Sequence, residues 1–247
     1  MLTLLRTELL KLTTTRWPWI LVALTLGATA VQALQPVYKS GRDGDPTLGT
    51  AVAELAVLGA LGRGALVALL LGVLMVTSEF RHNTVTASLL QSPRRGHVVT
   101  AKALIAVSVG LALGVAGLAI VLAVGLVSGA IQPQLVNGDI VLRVIGLVMT
   151  YPLYALLGTA TGCLLPRNQP LAVVIPVLWL AGLEGLALSE VSQSVRVWSF
   201  LGTTAALQNA GDVPLVLPIW AGAGALVAYG LLLFGAGALH VARADIS

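Results

Sequence analysis

Side chains able to do acid–base, nucleophilic or metal chemistry are sparse in this 247-residue chain, which holds three histidines, one cysteine and ten acidic residues. His82, His97 and His240 are too scattered to form a metal-ligand cluster. No H-E-x-x-H helix is present, and no G-x-x-x-x-G-K-[ST] loop that would cradle a nucleotide phosphate. Cys163 stands alone in the apolar stretch Gly158–Leu165, so neither a disulfide within the chain nor a thiolate metal site follows from it. The residue types give no catalytic, cofactor-binding or metal site, and an enzyme is not expected.

The elements that carry these residues are dictated by composition. The chain is 57% hydrophobic and only 10% charged, against about 25% charged residues in ordinary globular domains. Its mean hydropathy is +0.94. A soluble domain could not hide that much apolar surface, so the main solvent is lipid. The apolar runs are continuous rather than alternating, which excludes a transmembrane barrel. The expected fold is all-α and integral to the membrane, with six transmembrane helices, an amphipathic interfacial helix at the N-terminus and both termini cytoplasmic.

In this reading residues 1–16 form the interfacial helix, with Leu2, Leu5, Leu9 and Leu12 on one stripe and Thr7, Glu8 and Lys11 elsewhere. A plain cytoplasmic extension of the first span is the competing description. Residues 17–247 then make one six-span domain. The spans lie near 17–34, 51–78, 98–127, 140–165, 171–188 and 217–240. A cytoplasmic loop covers 79–102 and an external loop 189–214. Small-residue pairs at Gly110/Gly114, Gly125/Gly129 and Gly158/Gly162 would allow close helix approach.

A net charge of +4 suggests nucleic acid less than it suggests topology. Nine of the fourteen lysines and arginines fall on the side of the leader, the 79–102 loop, the 166–170 turn and the tail. Lys39, Arg42, Arg143 and Arg196 fall on the other side. The positive-inside bias therefore places both ends in the cytoplasm, with no nucleic-acid partner expected. Arg63 and Glu184 remain inside predicted spans. A lone arginine at a helix centre costs about 2.5–3.5 kcal/mol on insertion scales. The two are therefore expected to face the protein interior as an intramembrane charge pair, near the external end. In the alternative, residues 51–62 are a separate outer re-entrant piece and Arg63 meets water. No histidine lies at depth to serve an intramembrane serine protease. Glu184 is the one deep carboxylate, too few for an ordinary proton-coupled carrier.

The loop between the second and third spans is the most polar segment of the chain. Thr84–Gln91 can make two helical turns, ended by Pro93. Glu79-Phe80-Arg81-x-Asn83-Thr84, followed by Leu89-Leu90-x-x-Pro93-Arg94-Arg95 and then Lys102, resembles the membrane subunits of type-2 ATP-binding-cassette exporters. Asn83 stands where that family usually has glycine, a mild departure because Asn tolerates left-handed backbone. The tail Arg243-Ala244-Asp245 is similar to the family's basic–acidic ending.

The resemblance implies an exporter permease in the cell membrane, coupled through Glu79, Arg81, Thr84, Leu89, Leu90, Pro93, Arg94 and Arg95 to a separate ATPase. ATP and magnesium would bind that partner, with no cofactor on this chain. A second permease copy or a homologous permease, together with membrane lipids, completes the expected partners. The alternative function is an ATPase-independent secondary carrier or an immunity-type membrane protein.

Overall fold

The computed structural model describes residues 2–42, 45–81, 95–132, 138–180, 191–208 and 217–243. The described residues are helical and contain no strand. In chain order they are α1 (Leu2–Thr14), α2 (Arg16–Lys39), α3 (Ala51–Arg63), α4 (Ala65–Arg81), α5 (Arg95–Val127), α6 (Gly138–Leu164), α7 (Gln169–Leu178), α8 (Gln193–Arg196), α9 (Phe200–Leu207) and α10 (Ile219–Arg243). Five stretches are long and apolar enough to cross a membrane: α2, α3 with α4, α5, α6 and α10. This is the architecture of a multi-pass membrane protein.

Several helix starts are fixed by local side chains. Thr50 accepts from the Ala53 N–H, Asn168 from Leu171 and Ser199 from Gly202, each satisfying a donor that the first turn cannot. Pro170 follows within the first turn of α7, where a missing N–H costs nothing.

The second long stretch is interrupted rather than divided. Gly64 stays right-handed, at φ −70° and ψ −18°, but its N–H bonds the Leu61 carbonyl and its own carbonyl accepts from Val67. These three-residue bonds are a tight 3₁₀ step between α3 and α4. Residues 51–62 are thus continuous with the following helix. At about 1.5 Å per residue, the 31 residues of α3 and α4 exceed the roughly 30 Å hydrocarbon core. The start of α3 therefore projects past that core or the helix tilts.

Close packing sets the register. A Cβ on Gly158 would collide with the Leu69 carbonyl and one on Gly162 would lie 3.0 Å from that of Val73, so α4 and α6 run parallel, and a Cβ on Gly72 would collide with the Ala155 carbonyl, so the two backbones nearly touch. A Cβ on Gly110 would lie 2.8 Å from the Tyr151 carbonyl and one on Gly114 3.0 Å from that of Val148, which sets α5 antiparallel to α6. Gly237 similarly seats α10 against Ala160 and Cys163, parallel to α6.

Two of the three expected small-residue pairs therefore mark helix interfaces. The third does not. Gly125 leaves room for the Ile131 side chain of its own following turn, and Gly129 sits in that turn at φ +72°.

Since α10 runs parallel to α6, the chain must return from one end of the bundle to the other between them. The described parts of that return are α7, α8 and α9. Gln169, at the start of α7, is hydrogen-bonded by Arg81, the last residue of α4. Gln208, just past α9, donates to Thr150, well up α6. The chain stays helical through a wider π turn at residues 179–180, and the rest of the span expected over 171–188 lies outside the described residues. The expected external loop at 189–214 contains α8 and α9. As a result α1 and the end of α10 lie at one end of the bundle.

The core is formed mainly by α3, α4, α5 and α6 around Tyr151, Leu58, Leu61, Leu69 and Leu147, all nearly inaccessible. By contrast α2 and α10 carry exposed Ile20, Leu24, Leu231 and Leu232, apolar surface that suits lipid rather than water.

Candidate functional site: a buried charge square at the end of the bundle

At the end where α1, α4 and α5 meet, four charged side chains form a closed square. Lys102 Nζ lies 2.6 Å from Glu8 Oε2 and 2.6 Å from Glu79 Oε1. Lys11 Nζ lies 2.8 Å from Glu8 Oε1 and 2.7 Å from Glu79 Oε1. Glu8, Glu79 and Lys102 are all at most 7% exposed, whereas the Lys11 side chain is 38% exposed. Two positive and two negative charges cancel. That neutrality, with every carboxylate facing ammonium donors, is what makes burial of four ions tolerable.

The four corners come from three helices. Glu8 and Lys11 are one helical turn apart on α1, Glu79 is in the last turn of α4, and Lys102 is two turns into α5. The square therefore bolts the leader to both helices that flank residues 82–94.

Burial works against the Lys11 ammonium, but hydrogen bonds and charge attraction from Glu79 and Glu8 outweigh it and hold its pKa above the ordinary lysine value. The arrangement contains no nucleophile and no free base. What it can do is mechanical: resist separation of three elements, and release them together if a corner is lost.

The leader itself differs from the expected stripe. Leu5 and Leu12 pack against the core while Leu9 and Leu10 are about half exposed. Glu8 lies three residues after Leu5 and four before Leu12, so it shares their inward face rather than pointing elsewhere.

Of the residues expected to couple to a partner, Glu79 is a corner of the square. Arg81 is exposed and bonds Gln169 at 3.1 Å. Arg95 opens α5. Thr84, Leu89, Leu90, Pro93 and Arg94 lie outside the described residues, as does Glu184. Arg63, expected to face the interior, is exposed at the end of α3, where its guanidinium donates to Gln32 Oε1 at 3.3 Å. The α3 face that turns inward carries Glu54, Val57, Leu58 and Leu61 instead.

Sequence reasoning singled out Glu79 and Lys102 in one motif but missed Glu8 and Lys11 as their partners. The available signal was an acid and a lysine three residues apart on a helix otherwise rich in leucine. Among the described residues no group of three or more His, Cys, Asp and Glu is placed to hold a metal. Compared with known protein families and with curated proteins, the chain matches no family model and no curated sequence.

Proposed function

We propose that this chain is the permease subunit of an ATP-driven exporter, resembling the type-2 ATP-binding-cassette class, with six crossings and both termini in the cytoplasm. The sixth crossing in this reading is the return that includes α7, α8 and α9. The observation that carries the proposal is the charge square. It joins the leader, the exit at Glu79 and the re-entry at Lys102, and so frames the segment that carries the exporter-like motif.

A partner ATPase holding ATP and magnesium would press on residues 84–91. A rigid joint across both flanks would pass that displacement to α4, α5 and α1 as one unit, shifting the bundle between two states. Two permeases, identical or homologous, would enclose the pathway, since a single bundle offers little surface for a pathway and two ATPase docks. The other reading is a secondary carrier or an immunity-type membrane protein with no ATPase.

Affinity purification of the tagged chain from its native membrane separates them. The proposal expects an ATPase to co-purify and its ATP turnover to change when this chain is added back. An active preparation free of any ATPase would overturn it.

A further inference from the structure

Beside the charge square, a cavity of about 710 Å³ opens between α1, α2, α4 and the start of α7. That is within the roughly 300–1,000 Å³ of ordinary ligand sites. Its walls are apolar, with Leu12 from α1, Trp17 and Leu21 from α2, and Leu74 and Met75 from α4. Ile20 both lines the cavity and is 58% exposed, so the opening faces the same apolar flank of α2 that suits lipid.

The charge at the mouth is unbalanced. Glu8 and Glu79 also line the cavity, but each is already held by Lys11 and Lys102. Arg81 is left at the rim with a neutral partner, the Gln169 amide oxygen, and among the described residues no carboxylate lies within ion-pair distance of it. An apolar slot open to lipid with an arginine at its interfacial end matches one chemistry.

We propose that this cavity binds an anionic glycerophospholipid, its phosphate on Arg81 and the upper part of one acyl chain between α2 and α4. The phosphate would take the guanidinium donors that Gln169 leaves unused, and the chain would cover Trp17 and Met75.

The test uses the full chain reconstituted in phosphatidylcholine nanodiscs doped with lipid brominated in the upper acyl chain, which quenches nearby tryptophan. The Trp17 signal is isolated as the difference from Trp17→Phe. Brominated phosphatidylglycerol is expected to quench Trp17 at about one fifth of the concentration that brominated phosphatidylcholine requires, the preference one basic side chain near an anionic surface gives. Arg81→Gln should remove the preference, and Arg81→Lys should keep most of it. Gln169→Glu, which pairs Arg81 internally, should remove it by an independent route. Inorganic phosphate should not compete.

Equal quenching by the two lipids, or a preference that survives both Arg81→Gln and Gln169→Glu, would overturn the proposal. So would full competition by inorganic phosphate, which would make this a free-anion site. Absence of Trp17 quenching by either lipid, as when the slot is filled by protein, would overturn it too.

Discussion

Lys102 and Glu8 lie 94 residues apart in the chain and meet as a buried ion pair, Nζ to Oε2, at 2.6 Å. The pair closes a square that also holds Lys11 and Glu79. Its members therefore respond to substitution as a unit rather than singly. Lys102→Met leaves two buried carboxylates sharing one lysine. Removing one partner of a buried pair costs about 3–5 kcal/mol, and a marked fall in thermal stability of the detergent-solubilised protein is expected. In a double-mutant cycle with Glu8→Gln, the coupling should be of order 0.5–3 kcal/mol. Strictly additive losses would show that the two do not interact.

The pH response follows from Lys11. Its pKa is raised in the folded protein above the ordinary 10.5. The contribution to stability is therefore fully present below that ordinary value and is lost as pH rises through the folded one. Stability should be insensitive to this group at neutral pH and should decline in alkali. Thermal unfolding of the parent and Lys11→Met across pH 9 to 12 reads this out, and the variant should lack that part of the decline.

At the α4–α6 contact, Gly158→Ala and Gly72→Ala each drive a methyl into backbone of the facing helix. Overpacking of this kind costs about 1–3 kcal/mol. Gly224→Ala and Gly235→Ala meet open space and should be neutral or slightly stabilising, since alanine favours helix. Melting temperatures of the four variants check the contrast.

Tyr151 and Leu61 give a subtler test. The Tyr151 hydroxyl donates to the Leu61 carbonyl at 2.7 Å, at the 3₁₀ step before Gly64. Tyr151→Phe removes that donor while keeping the ring, at a net cost of about 1 kcal/mol. Amide exchange should quicken at Ala65 and Leu66, next to the step, and not in the rest of α4.

For the proposed coupling segment, replacing Leu89 and Leu90 with Asp should leave the protein inserted and its square intact while separating transport from ATP turnover. Coupling energies between sites are commonly worth about 5–150-fold, and a loss in that range is expected in transport assayed with the partner ATPase. Normal transport by the double variant would remove these residues from that role.

The long helices were legible because lipid demands about twenty continuous apolar residues and the chain supplies them. The 3₁₀ step at Gly64 was not, since Leu61-Gly62-Arg63-Gly64 is flanked on both sides by equally apolar sequence. The Gly-x-x-x-Gly spacing was informative at 110/114 and 158/162, where another helix lies alongside. It misled at 125/129, because spacing does not reveal where a helix stops. The charge square was half legible. Glu79 and Lys102 fell in one motif, but Glu8 reads as an ordinary polar position until tertiary packing shows which α1 face is inside.

The square also orders events during synthesis. Glu8 is translated 94 residues before Lys102, and in that interval its partner on the same helix is Lys11, one turn away. A leader with that balance is tolerated at the membrane surface but has no buried seat to occupy. Docking of α1 must therefore wait for the start of the third long apolar stretch. Although α1 precedes every other described helix in the chain, it reaches its final position no earlier than α5.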